Sequence, residues 1–173
     1  TFGLSSNKGI MLAAQEQNAK GGLLGKQIEI VPADDQSQAS LVRQAVLKLI
    51  DQDHVCAILG EVSSGSTAQA APDCQKNKVP LLTPASTANN ITDLGDYVFR
   101  SCFTDAQQGK WIADYAAQQL KMKRAAIFTD VQNAYSEGLT KVIEAEFTKA
   151  GGTIVVKENY AKGAQDYQSQ LTN

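Results

Sequence analysis

The chain is short of most of the residues that announce a specialised class. Basic surplus is missing, with 16 Lys and Arg against 18 Asp and Glu for a formal net charge of −2. No positive face of the kind that gathers phosphates is expected, which excludes nucleic acid as a partner. Proline and glycine are sparse, at 4 and 13 of 173 residues beside 43% hydrophobic ones, so a disordered or collagen-like chain is excluded and a core can form. No apolar run reaches the ~18 residues of a membrane span, so no direct span is expected. Cys56, Cys74 and Cys102 are too far apart for a Cys-x-x-Cys metal or redox spacing. Burial is expected for them. A Cys56–Cys74 disulfide stays open for an oxidising compartment, although a strand and the helix after it rarely bring their Cβ atoms within ~4 Å. The start, Thr1-Phe2-Gly3-Leu4-Ser5-Ser6-Asn7, has neither an initiator Met nor a charged-then-apolar leader, so localisation cannot be read from it.

What is present is an alternation of helical and strand periods. Ile10–Asn18 reads as a helix stopped by Gly21-Gly22, Ile28–Ala33 as a short strand, and Asp34-Asp35-Gln36-Ser37 as a turn capping a helix from about Ala39 to Ile50. Strands are expected at His54–Leu59, Val79–Thr83, Tyr97–Arg100, Arg124–Thr129 and Thr153–Lys157. Helices are expected at Ser66–Asn77, Asp105–Leu120, Glu137–Ala150 and from Ala164 to Leu171. Short buried strands alternating with helices predict an α/β fold, with parallel sheets covered by helices on both faces. The length of 173 residues exceeds one domain of the commonest size and falls short of two. A helix comes first with no strand before it and a helix is under way at Asn173, so both ends are expected to be cut.

In an open parallel sheet, ligands bind beyond the carboxyl ends of the strands. Three turns qualify. Gly60-Glu61-Val62-Ser63-Ser64-Gly65-Ser66-Thr67 resembles a phosphate-binding loop, but Ser66 stands where the lysine must be. The remaining geometry, N–H groups at a helix start lined with hydroxyls, suits a carboxylate. From spacing alone the serines serve equally as helix caps or as ligand donors. Pro84-Ala85-Ser86-Thr87-Ala88-Asn89-Asn90 leaves carbonyls and hydroxyls at a strand end, which suits an ammonium together with a carboxylate, or else is a plain surface loop. Asp130-Val131-Gln132-Asn133-Ala134-Tyr135 ends a later strand, where Tyr135 covers a ligand or packs at a helix start. Asp34-Asp35 lacks a third ligand nearby, so turn and cap roles are expected and no metal or cofactor. His54 precedes its strand and lies at the wrong end of the sheet, and no Gly-x-Ser-x-Gly elbow occurs, so no catalytic residue is expected. Trp111 is expected in the core.

Several segments, in this order and spacing, carry a resemblance over nearly the whole chain. They are Gly9-Ile10-Met11-Leu12-Ala13 with Asn18-Ala19-Lys20-Gly21-Gly22, Asp34-Asp35-Gln36-Ser37, and Ile58-Leu59-Gly60 with Ser63-Ser64-Gly65-Ser66. Pro80-Leu81-Leu82-Thr83-Pro84-Ala85, Phe99-Arg100, Asp105 to Gly109 and Ala134-Tyr135-Ser136-Glu137-Gly138 continue it. The chain resembles the periplasmic substrate-binding proteins of ABC transporters, in the type I group that takes up leucine, isoleucine and valine. That resemblance implies two α/β lobes closing on a ligand, here residues 1–120 as an N-terminal lobe lacking its first strand and 121–173 as the first part of a C-terminal lobe. It implies that Ser64 holds a ligand carboxylate, Thr87 supports carboxylate and ammonium, the Ala85 carbonyl accepts from the ammonium, Tyr135 reaches in from the second lobe, and Phe2 lies beside the ligand side chain. The implied function is non-enzymatic: a periplasmic or lipoprotein-anchored component that delivers a small carboxylate, foremost an aliphatic amino acid, to an inner-membrane permease. The alternatives are a ligand-sensing domain on the same scaffold and, from another class, a flavodoxin- or receiver-like domain.

Overall fold

The computed structural model describes residues 2–161 and 163–172. Thr1 and Asn173, the outer limits of the expected lobes, lie outside the described residues. In chain order the elements are helix α1 (Phe2–Ala19), α2 (Ala39–Asp51), strand β1 (Ile58–Leu59), α3 (Ser64–Asn77), β2 (Leu81–Thr83), a 3-10 turn (Ile91–Leu94) and β3 (Val98–Arg100). Then follow α4 (Asp105–Asp114), continued by a π-helical turn (Tyr115–Gln119), β4 (Arg124–Asp130), α5 (Ala134–Lys149), β5 (Thr153–Tyr160) and α6 (Gln168–Leu171). Two compact units result, one of Thr1–Ser86 and Asn90–Cys102, the other of Thr87–Asn89 and Phe103–Asn173. The division falls after Cys102, ahead of the boundary expected at Leu120, because α4 packs on α5.

In the first unit the parallel sheet has the order β1-β2-β3, with Ile58 beside Leu81 and Leu81 beside Val98. Side chains alternate across a strand, and Ile58, Leu81 and Val98 are buried, as are Ala70, Ala71 and Cys74 of α3, which lies against β2 and β3. The opposite row of Leu59, Leu82 and Phe99 is roughly half exposed. Helix α2 adds Val42 and Val46 to the core and ties to α3 through Arg43 and Asp73, whose Nε and Oδ2 are 2.8 Å apart.

Three expectations are corrected here. Ile28–Ala33 has no regular secondary structure and no ladder partner among the described residues. The Asn18 side chain takes both backbone groups of Ile28, at 2.8 and 2.7 Å. Ile28, Ile30 and Leu59 all line a groove of about 610 Å³, and the sheet of this unit begins at β1 without this segment. The strand from His54 shrinks to Ile58–Leu59, because His54 adopts φ +52° and is exposed with Cys56. Cys56 is therefore not buried, and all three cysteines are free thiols.

In the second unit β4 and β5 pair in parallel from Arg124 beside Thr153 to Asp130 beside Tyr160. Their core is Ala113, Ala117 and Phe147, with Ala125, Ala150 and Ile154 around it. Trp111, expected in the core, is 56% exposed and meets Phe103 edge-on at 5.7 Å. Gly109, Ala113 and Ala117 recur every fourth residue and are all buried, so the small residues form the packing stripe and turn Trp111 outward. Gly109 sets the approach of α4 to α5: a Cβ there would sit 2.5 Å from Val142 Cγ1 and 2.9 Å from its Cβ.

Among the described residues no helix is long and apolar enough to cross a membrane. The close approach at Gly109 makes a direct prediction. Gly109→Val should destabilise the chain by about 2–3 kcal/mol, and adding Val142→Ala should recover part of that. Urea unfolding followed by far-ultraviolet circular dichroism reads both, and an unchanged midpoint for the single variant would refute the contact.

Candidate ligand-binding site

Because β1 and β2 run parallel in register, their carboxyl ends deliver two turns side by side: Gly60–Ser63 into α3, and the loop that starts at Pro84. The first turn resolves which serine caps the helix. Ser63 is the N-cap in extended conformation, and its Oγ accepts from the Ser66 N–H at 3.1 Å and bonds Ser66 Oγ at 2.9 Å. The Thr67 N–H donates to the Ser63 carbonyl at 2.9 Å. Capping is thus the work of Ser63, and Ser64 is the first helical residue, 4% exposed. A helix start of this kind carries partial positive charge from its N–H groups.

The Glu61 carbonyl receives three hydroxyls from around these turns: Thr67 Oγ1 at 3.2 Å, Ser86 Oγ at 3.2 Å, and Thr83 Oγ1 in a closer contact. Ala85 lies in the second turn, half-buried, with its N–H 3.4 Å from Thr83 Oγ1. The Ser86 carbonyl accepts from Arg100 Nη1 at 3.4 Å and from Cys102 Sγ at 3.6 Å. The structure therefore brings Ser64 and Ala85 to neighbouring turns of the first unit. Phe2, in the same unit, opens α1 with 69% of its surface exposed.

Thr87 and Tyr135 belong to the second unit. Thr87 is 7% exposed, and its carbonyl accepts from the Asp105 N–H at 2.7 Å. Asn89 Oδ1 accepts from the Ala106 N–H at 3.0 Å, and Thr104 Oγ1 accepts from the Gln107 N–H at 3.2 Å. Together these satisfy three successive donors at the start of α4. Tyr135 follows the N-cap Asn133, whose Oδ1 accepts from the Tyr135 N–H at 3.0 Å. Its hydroxyl accepts from Gln108 Nε2 at 3.0 Å, which ties it to α4.

Asp34 and Asp35 act as turn residues, accepting from the N–H groups of Gln36 at 2.8 Å and Ser37 at 3.0 Å. They do not cap α2, whose N-cap is Gln38. Asp35 has a second role that the sequence did not reveal. Burial pushes the Glu61 carboxyl up to about 7, and the charge of Asp35 and a hydrogen bond to it push the same way. Two carboxyl groups bond only through a proton, so the Glu61 side chain holds one near neutrality.

The sign of the pH effect follows from this. Below about 4.5, the ordinary value of Glu61, folded and unfolded chains both carry the proton, and the group contributes no pH slope. Between about 4.5 and about 7 the folded chain binds more protons than the unfolded one, so stability falls as pH rises and then levels. Glu61→Gln should remove this loss, on the order of 2 kcal/mol. Urea midpoints at several pH values in that window check it, and equal slopes for variant and unmutated chain would count against the carboxyl pair.

Comparison with known proteins places this geometry among relatives. An amino acid binding protein of Pseudomonas aeruginosa is 32% identical over 173 residues, which is 99% of this chain and 46% of the relative. The branched-chain amino acid transporter substrate binding protein LivJ of Streptococcus pneumoniae, solved in complex with isoleucine, superposes with a TM-score of 0.92 at 36% identity, over 99% of this chain and 48% of that one. A solute binding protein of an ABC transporter from Rhodopseudomonas palustris, in complex with 3,4-dihydroxybenzoic acid, gives 0.84 at 27% identity, over 97% and 46%. The chain thus spans about half the length of the curated relatives it matches. These likenesses bear out the expected α/β fold with parallel strands and set aside the flavodoxin- and receiver-like readings. With a family profile described as "Periplasmic binding protein" matching residues 1–173, the chain belongs to the periplasmic binding protein family.

Proposed function

We propose that the chain is part of an extracytoplasmic solute-binding protein that captures a small carboxylate, foremost a branched-chain or other aliphatic amino acid, for an inner-membrane ABC permease. The observation that carries this reading is the division of labour at the start of α3. Ser63 takes the capping role, while Ser64 occupies the first helical position beside the turn that holds Ala85. A carboxylate at that helix start would meet a hydroxyl and partial positive charge from backbone N–H groups, with no basic side chain needed.

Ser64 is proposed as the carboxylate donor and the Ala85 carbonyl as an acceptor for the ammonium. Thr87, Tyr135 and Phe2 enter as further ligand contacts on the motif match. The relatives' ligands support the carboxylate in particular, since isoleucine and 3,4-dihydroxybenzoic acid differ in everything except that group. Family members are binding proteins and not enzymes, and capture without chemical change is the proposed activity. Periplasmic location, lipid-anchored or free, follows the family.

Titration calorimetry of the full polypeptide carrying this sequence, with leucine, isoleucine, valine and benzoate, tests the reading. Heat with one of them is expected, and silence with all four would remove it. Ser64→Ala should weaken binding by about 1–3 kcal/mol through the lost hydrogen bond to a charged group. Ser63→Ala should cost helix stability of about 1 kcal/mol instead. If Ser64→Ala leaves affinity untouched, the assigned donor is wrong.

A further inference from the structure

Resting on the carboxylate reading above, we propose that Thr67, Thr83 and Ser86 are positioning residues: their buried hydroxyls, closed on the Glu61 carbonyl, set ligand affinity without touching the ligand. All three side chains are 0% exposed. They stand on different pieces of chain. Thr67 is in the first turn of α3, Thr83 ends β2, and Ser86 is in the loop beyond.

Counting protons orders the cluster. A carbonyl oxygen has two lone pairs, so at most two of the three O–H groups can donate well to Glu61. Thr67 Oγ1 and Ser86 Oγ lie 2.6 Å apart, and Thr83 Oγ1 and Ser86 Oγ 2.9 Å. Thr83, the nearest of the three, donates to the Glu61 carbonyl; one of Thr67 and Ser86 takes its second lone pair while the other donates across their shared 2.6 Å contact. Thr83 Oγ1 then accepts from the Ser86 N–H at 3.1 Å, which closes a ring from β2 through its following loop to the turn before α3 and back. In a dry site such a chain polarises its members, and an unmade bond is costly.

The placement of the ring gives it a functional role. Ser64 lies between Glu61 and Thr67, and Ala85 lies between Thr83 and Ser86. Ser64 and Ala85, the two ligand residues proposed in this unit's turns, are thus each bracketed by two members of the ring, and fixing the four brackets fixes both turns. Thr83 is the member with most to lose, because it donates to Glu61 and accepts from the Ser86 N–H. Thr83→Val removes both bonds, and the longer one from the Ala85 N–H, at nearly constant volume, whereas Thr83→Ser keeps all three.

The test uses the full polypeptide carrying this sequence, leucine as the titrant, and backbone hydrogen exchange over residues 60–67 and 84–87. Thr83→Val is expected to weaken leucine binding about tenfold or more and to lower exchange protection in both segments together, with Thr83→Ser within about threefold of the unmutated protein. Val42→Ala, which loosens the same unit's core away from the hydroxyls, should lower the unfolding midpoint and leave affinity within about threefold. If Thr83→Val does not fold, Ser86→Ala carries the same test with a smaller loss, about threefold to fivefold. Unchanged affinity with the ring broken, or equal weakening by Val42→Ala, overturns the proposal. Absence of heat between the unmutated protein and all four of leucine, isoleucine, valine and benzoate overturns the carboxylate reading and the affinity claim with it; if leucine alone is silent, the titrant that gives heat takes its place. The exchange arm then decides the coupling of the turns alone, and protection lost from one segment only would overturn that.

Discussion

A backbone carbonyl that turns away from its sheet must find donors, and the Glu61 carbonyl finds side-chain hydroxyls from three directions. Much of the first unit's functional end depends on that convergence. It joins the end of β2 to the beginning of α3, two elements that are otherwise linked by helix packing and by a ladder only two residues long at β1. A short ladder constrains register but leaves the turns beyond it free to swing. Hydroxyls buried beyond its end supply the missing constraint, and they do so without charge, so nothing in the cluster competes with an anionic ligand.

The same economy of charge runs through the electrostatics. A chain with 16 basic and 18 acidic residues carries no net positive charge to draw in an anion, and it needs none if recognition rests on a helix start and hydroxyls. Backbone dipoles act over a short range and in a fixed direction. They favour one well-placed carboxylate over anions in general. The Glu61 carboxyl, in the first of these turns, would otherwise oppose an incoming anion, and the proton that burial keeps on it toward neutrality lowers that opposition.

Much of the architecture was legible in the sequence because helical and strand periods record burial. Helices α2, α3 and α5 lie close to where their apolar spacing put them, and Leu81–Thr83 falls within the run expected to be a strand. Strand limits were less legible, since a strand needs a neighbour: Ile28–Ala33 has the pattern and no ladder, and His54 and Cys56 fall outside β1. Trp111 misled because it falls on the apolar face of its helix pattern, whereas close helix contact selects glycine and alanine, as Gly109, Ala113 and Ala117 show. At the site, the three serines were visible, but their roles were not. Which of two adjacent serines caps α3 depends on where the helix begins, and the pairing of Glu61 with Asp35 depends on two turns meeting in space.

The outward position of Trp111 has a practical consequence. It is the chain's one tryptophan, and it sits in the second unit, edge-on to Phe103 and more than half in solvent. Its indole already faces water in the folded chain, so its emission maximum lies to the red and shifts little on unfolding, while a dissolved quencher reaches it readily. Tryptophan emission therefore watches the α4 surface of the second unit. A tryptophan introduced near Leu82 or Phe99 would be needed to make the first unit visible in the same light.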